Sequence, residues 1–506
     1  MWGFFRRDRE KAARPDRRKQ VRGFVGARPS AMAKFQTTFA KINAELREDY
    51  IALTLRAREL AKNNELVGSY ISLMIRNVLG ANGFTFAETA YNDDGTPDRI
   101  ANRIIEDEWY DYTCSFRKYV SADGQMNGLD FDRHVLFNLL VDGEVFVRKV
   151  KDMQSKYGIR WEVVDALDVD LLYNVEYGKS PRVVMGVEID DHYRPLAYWI
   201  RRNRSANYYL EGERVRVPAS EIIHLYRKQY AGQVRGYTPL APCIQALAGL
   251  ESYKTAEINA SLLNSCYMGI WQHVGTGDAY SQYNEDEIDA NGDVATELET
   301  NVFRYAPEGY ELKNIQATHP NSNVGAFLKA MIKCIASALG VSSNKLNSDY
   351  ESVNYSSLRQ ANQEDISAWR ETQRFIIDNW KSLQFAEWLK YLLLSDLTNL
   401  PYSKYEKFLV HDFRGRSWEY LDPAKEYSAI KLKMEMRLTN PIIELEKQGL
   451  DVDDVLDGWQ LFEQKCKDRG LSTVQAVDVV MHDDYLHDEN GDEPVDDGGN
   501  DGGQQK

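Results

Sequence analysis

A chain of 506 residues with 43% hydrophobic residues has room for roughly two to four domains and a sizeable core, which excludes a wholly disordered polymer. Its 62 Lys and Arg against 77 Asp and Glu leave a formal net charge of −15. That balance excludes a protein that grips nucleic acid over its whole surface, because tight phosphate binding needs basic side chains to displace counterions. The first 28 residues carry ten Lys/Arg against three acids, with Arg6, Arg7, Arg17, Arg18 and Lys19 among them, and read as a flexible basic arm that touches nucleic acid or a partner in an assembly. They hold no apolar run of the kind a secretory signal needs.

Residues 44 to 79 have helical spacing, with Leu46, Ile51, Leu55 and Leu60 on one side, an interruption at Asn63 and Asn64, and a resumption through Ile71 and Ile75 to Gly80. From Gly143 to Ala219 the texture changes to short β runs, Val145 to Val150, Arg160 to Val164 and Val183 to Ile189, with turns at Tyr157-Gly158 and Asp190-Asp191. Pro242 then opens a helix reaching about Gly269, roughly 40 Å long at 1.5 Å per residue. Residues 271 to 322 are irregular and β-like, and Asp278 to Glu299 holds eight acids and no base. A second apolar stripe, Phe327, Leu328, Met331, Ile332, Ile335 and Leu339, stops at Gly340.

The Ser/Asn-rich stretch that follows leads into a segment free of Gly and Pro as far as Leu400. Trp369, Ile376, Trp380, Leu383 and Leu389 recur on one side of it, predicting a helix from about Ser356 that spans about 60 Å if continuous. Further helices follow Leu421-Asp422-Pro423, through Lys425 to Met436 and Asn440 to Lys447, with Gly449 and Gly470 as stops. Asp478 to Lys506, with ten acids and one base, reads as a solvated tail.

Chemistry is sparse along this chain. Gly178-Lys179-Ser180 lacks the upstream glycine of a phosphate-binding loop, Tyr173 standing in its place. Asp488, Asn490 and Asp492 begin like a calcium loop, but Glu493 occupies the position of the sharp-turn glycine. Asp165, Asp168 and Asp170 would serve a Mg-dependent nuclease if they converged on metal, although the same run reads as a strand edge and turn. The eight histidines form no HExxH, and no GxSxG elbow is present. Cys114, Cys243, Cys266, Cys334 and Cys466 are odd in number and form no CxxC, as in a reduced chain made in the cytoplasm. No apolar run approaches the length of about eighteen residues that a membrane-crossing helix needs.

The run from Ile335 to Val341, IASALGV, followed by Leu346, Tyr350 and the NYSSLR of Asn354 to Arg359, resembles the signature of lambda-type tailed-phage portal proteins. Collinear segments are similar to the family as well: RARELAKNN at 56 to 64, IRNVLG at 75 to 80, DGEVFV at 142 to 147, the stretch from Ile222-Ile223-His224 to QVRG at 233 to 236, KQGLD at 447 to 451, and Glu463 with RGL at 469 to 471. The resemblance implies an α+β portal fold. A wing over residues 36–239 follows a basic arm over 1–35. Paired stem helices occupy 240–270 and 323–340, with a small β-containing clip at 271–322 between them. A tunnel loop at 341–357 leads to a long helix and helical crown over 358–475, and 476–506 form the tail.

It further implies a non-enzymatic homo-oligomeric ring, a dodecamer in the family, at one capsid vertex of the virion, assembled in the host cytoplasm. Double-stranded DNA would pass through it, and terminase, major capsid or scaffold protein, and head-completion or tail-connector proteins would dock on it. No cofactor, metal or membrane is implied. Ser342, Ser343, Asn344, Lys345, Asn347, Ser348, Asn354, Tyr355 and Arg359 would line the channel and touch phosphates without reading bases. An acidic conduit suits this role, since each neutralised phosphate would add grip to DNA that must slide. A non-ring minor head or scaffold protein would share the charge and composition but would not close into a ring.

Overall fold

The computed structural model describes residues 39–470 apart from 176, 177, 179, 180, 203–211, 267–269, 274–309, 314–322, 352, 353, 419–422 and 451. The basic arm, the acidic run 278–299, Lys179 and Ser180 of the GKS, and the acidic tail with its calcium-like stretch therefore lie outside the described residues.

Helix α1 (Ile42–Asn63) ends where Asn64 turns its side chain to accept the N–H groups of Leu66 and Val67, starting α2 (Glu65–Val78). The buried stripe of α1 is Leu46, Tyr50, Thr54, Ala57 and Leu60. Leu55, expected on the inner face, is exposed; two hydroxyl-bearing residues hold the inner positions that an apolar count overlooks. Strand β1 (Thr85–Glu88), α3 (Arg99–Cys114, capped by Asp98) and α4 (Gly128–Val141, capped by Asn127) complete the N-terminal layer.

β2 (Glu144–Lys151) lies between β3 (Ile159–Val164) and β8 (Ile222–Tyr226) in an antiparallel sheet. A second antiparallel sheet runs β4 (Arg182–Val184), β5 (Val187–Ile189), β6 (Pro195–Arg202), β7 (Glu213–Pro218). The expected single run Val183 to Ile189 is thus a hairpin. Its turn is Met185-Gly186, both at positive φ, with Asn174 accepting the Met185 N–H at 2.8 Å, and a Cβ on Gly186 would lie 2.7 Å from the Asp170 carbonyl oxygen. Phe146 and Ile222 from the first sheet meet Val187, Tyr198 and Val217 from the second in one apolar layer.

Helix α5 (Ile244–Cys266) leads to the antiparallel pair β9 (Ile270–His273) and β10 (Tyr310–Lys313), and α6 (Val324–Leu339) returns to Gly340 in the left-handed conformation. Short α7 (Ser343–Asn347) precedes α8 (Tyr355–Ile376), which continues through one π-helical turn (Ile377–Lys381) into α9 (Ser382–Leu394). The rod is continuous, about 60 Å at 1.5 Å per residue. The wide turn admits one extra residue and rotates the inner face, so Trp380 and Lys381 are both buried whereas Leu383, expected inside, is exposed.

This rod is sunk in the N-terminal body. Trp388 packs on Trp109 at 5.0 Å between ring centroids, Trp380 on Trp161 at 5.2 Å, and the Trp380 indole donates to Asp132 at 2.7 Å. The buried Lys381 ammonium pairs with the same Asp132 at 3.1 Å and donates to Gln384 at 2.9 Å. Beyond α10 (Tyr405–Phe408), β11 (His411–Arg414) pairs antiparallel with β1. Segments expected in wing and crown therefore share one core. Helices α11 (Pro423–Glu435), α12 (Pro441–Lys447, with Asn440 as cap) and α13 (Val452–Asp468) form a thinner layer whose large apolar side chains are mostly exposed. Truncating Trp388 to Ala should cost about 3–5 kcal/mol and lower the thermal unfolding midpoint clearly, read by circular dichroism; Leu383→Ala should leave it nearly unchanged.

Candidate functional site

Five of the sequence segments singled out above meet in two adjoining polar clusters. The Glu144 carboxylate is fully buried and accepts from Arg235 Nε at 2.7 Å, from the Gly236 backbone N–H at 2.7 Å and from the Tyr50 hydroxyl, with His224 Nε2 at 2.9 Å. Arg235 also donates to the carbonyls of Met185 at 3.0 Å and Ala166 at 2.8 Å, and its guanidinium lies over the rings of Tyr50 and Phe146. Beside it, Arg58 of α1 forms a two-pronged pair with Asp142 at 2.6 and 2.8 Å and a second with Asp165 at 2.8 and 3.1 Å. A Cβ on Gly143 would stand 1.8 Å from the Tyr237 carbonyl oxygen, and one on Gly236 2.5 Å from that of Gly143, so only glycine lets these two chain segments touch.

Burial by itself would raise the Glu144 carboxyl, but the Arg235 charge and the bond from His224 outweigh it and hold the group at about 2, below its ordinary 4.5. Burial keeps His224 below its ordinary 6.5. Both groups bind fewer protons in the folded chain than in the unfolded one. The stability they contribute is present above the unfolded values and is lost as pH falls, first below 6.5 and then from 4.5 toward 2.

The three aspartates do not converge. Asp165 faces Arg58, while Asp170 is fully buried and pairs with Arg201 at 3.0 Å and with Arg214. Asp168, pushed up to about 6 by burial and by Asp165, stands between them. Among the described residues no group of three His, Cys, Asp or Glu side chains could hold a metal ion. The site expected of a Mg-dependent nuclease is therefore not formed, because each flanking acid is taken up by arginine.

The polar stretch after Gly340 is built as a bracket. Val341 and Leu346 are buried, and Ser69 of α2 donates to the Leu346 carbonyl at 2.8 Å. Asp365 on α8 accepts from the Ser342 N–H at 3.0 Å and its hydroxyl at 2.7 Å, and pairs with Lys345 at 3.0 Å. Lys345 also donates to Asn362 at 2.6 Å and lies 4.4 Å from the centre of the Trp369 ring. Ser342 and Lys345, expected to face outward, are thus turned onto α8. Arg359 is held by Glu426 of α11 at 2.6 Å. Tyr355 is placed at the start of α8 by its backbone.

Ser343, Asn344, Asn347 and Asn354 instead line an open cleft of about 420 Å³ with Lys329 and Lys333 of α6. Asn347, Ser348 and Asn354 are exposed, Ser348 in the left-handed conformation, and Asn354 precedes α8 without capping it. Lys329 pairs with Asp349 at 3.0 Å and holds that carboxyl below its ordinary range. The two α6 lysines were not singled out from the sequence; their place about two and three turns before Gly340 was the available signal.

Replacing Glu144 by Gln should cost about 3–5 kcal/mol by leaving Arg235 buried without its counter-charge, and should abolish the loss of stability between pH 4.5 and 2 in thermal scans. Lys345→Ala should speed protease cleavage within residues 341–351 severalfold, with little change in the global unfolding midpoint.

The chain matches the model of the family described as phage portal protein, lambda family, over residues 28–373. It is 28% identical over 413 residues to the probable portal protein of Halomonas phage phiHAP-1, covering 81% of this chain and 79% of that one. It is 19% identical to portal protein B of Escherichia phage lambda, with 82% and 84% covered, and 20% identical to the portal protein of Escherichia phage N15, with 86% of each covered. Among solved structures it is similar to a chain of the native gene transfer agent virion, at 12% identity and TM-score 0.43, covering 79% of this chain and 93% of that one.

Proposed function

The chain belongs to the lambda family of phage portal proteins, and from that premise we propose how its parts divide the work of a ring at one capsid vertex that conducts double-stranded DNA. One observation carries the assignment of the ring-forming element. Helices α5 and α6 leave the body as a pair; among their described residues the buried ones lie at the bases, including Leu247 and Leu250 on one and Ile335, Ala336 and Leu339 on the other. Ile258 and Leu262 are each 59% exposed and Phe327 46%. Bare apolar side chains along paired helices call for neighbours. Identical pairs from adjacent subunits, related by a rotation that closes, supply them.

On this reading α5 and α6 are the stem, and the segment between them, which begins and ends in the β9–β10 pair, is the clip that meets terminase during packaging and head-completion proteins afterwards. The body with its two sheets is the wing, facing capsid or scaffold protein, and α11–α13 are the crown. The bracket 341–357 sits where α6 hands over to α8 and presents Asn347, Ser348 and Asn354 to passing DNA. Neutral amides and a hydroxyl make brief bonds to phosphate oxygens without base readout. With Lys345 engaged on Asp365, and Lys329 and Lys333 of the cleft offset by Asp349 and Glu351, little net charge remains there to hold the DNA.

A ring of about twelve 58.2 kDa chains should have a mass near ~0.7 MDa by light scattering. Ile258→Asp with Leu262→Asp should reduce that mass to subunits with an unchanged circular dichroism spectrum of the body; intact rings would count against the stem assignment. Asn347→Ala with Asn354→Ala should leave the ring mass unaltered and lower the DNA packaged per head. Full packaging by that variant would mean that the loop only spaces its two helices.

A further inference from the structure

Glu88, the last residue of β1, is 4% exposed, and neither carboxyl oxygen has a hydrogen-bond partner. A buried polar group left in this state demands an explanation. Glu88 lines a cavity of about 720 Å³ between β1 and α3, and Glu106 lines it too, accepting the Glu88 backbone N–H at 2.9 Å. Burial and the Glu106 charge push the Glu88 carboxyl up to about 9. The walls include Tyr91, Trp109 and Tyr110, of which the two tyrosines are largely exposed, and Arg99, Arg103 and Arg414, which pair with Asp453, Asp107 and Asp412 and leave the Glu88 oxygens without a partner.

An acid at the bottom of an aromatic-walled cavity is the chemistry that receives a guanidinium, whose planar fork meets both carboxyl oxygens while its face lies on the rings. Metal ions fit less well, since no cluster of three ligating side chains occurs among the described residues. With the arginines of the walls already paired, a further guanidinium is best supplied by residues 1–28, which carry ten Lys/Arg against three acids. The described chain starts at residue 39, and 38 residues extend to at most ~125 Å. That reach is about twice the length of the α8–α9 rod.

We propose that the cavity beside Glu88 is the seat of the basic segment 1–28, one of whose arginine side chains enters it and pairs with Glu88. A stated place for the arm on the protein itself goes beyond the ring reading and does not depend on it. The test uses the full-length protein in its native assembly. Replacing Arg6, Arg7, Arg17, Arg18 and Lys19 by Ala should speed amide hydrogen exchange at least threefold in Thr85–Glu88 and Arg99–Cys114, with the stem helices unchanged. Glu88→Gln, which keeps the side-chain volume, should in turn speed tryptic cleavage within residues 1–28 by a similar factor. Identical exchange in the arm variant overturns the proposal whether or not Glu88→Gln folds. Equal cleavage of a folded Glu88→Gln and the unaltered chain overturns it as well.

Discussion

One ion pair organises this subunit: the fully buried Glu144 carboxylate against the fully buried Arg235 guanidinium. Each charge would be intolerable alone at that depth, and each has its remaining bonding capacity filled, Glu144 by Tyr50, His224 and a backbone N–H, Arg235 by two carbonyls. The groups come from α1, β2, the loop after β3, the turn after β4, β8 and the chain entering α5. Satisfying all of them at once fixes those six pieces against one another, so the pair sets where the two sheets, the first helix and the chain entering α5 stand.

The same logic accounts for segments that looked from the sequence like disconnected family resemblances. Arg58 of RARELAKNN meets Asp142 of DGEVFV, Glu144 of that run meets Arg235 of QVRG, and Asn64 caps the helix that follows the first of them. Gly143 and Gly236 are needed because their backbones press on each other. These residues mark a scaffold. The exposed side chains of the stretch after Gly340 take no part in it.

A second division separates the body from α5 and α6. Most of the body closes its apolar faces internally, through Trp109, Trp161, Trp380 and Trp388, whereas α5 and α6 carry bare Ile258, Leu262 and Phe327 into solvent. A single chain thus has a finished core at one end and an unfinished one at the other. Stability of the body and assembly of the ring can therefore vary independently. The bracket between α6 and α8 joins the two regimes: its inner side is locked to Asp365, and Asn347, Ser348 and Asn354 on its outer side are polar and exposed.

Local sequence by itself determined several element boundaries, because the signals involved act over a few residues: the break at Asn63 and Asn64, the stop at Gly340, the Gly- and Pro-free run that becomes the α8–α9 rod, and the collinear motifs that named the family; β1, α3, α4 and β11 emerged only in the tertiary structure. The inner face of α1, the exposure of Leu383 and the hairpin at Met185-Gly186 were misread, since hydroxyls, a π-helical turn and a carbonyl contact outweigh hydrophobic periodicity. Which polar residues face outward could not be read at all. Ser342 and Lys345 look no different in sequence from Asn347 and Ser348, and only the arrival of Asp365 and Trp369 from a helix turns later decides that the first two are anchors and the others remain available. Charge partners distant in sequence are chosen by the fold, and that choice separates anchored polar residues from exposed ones.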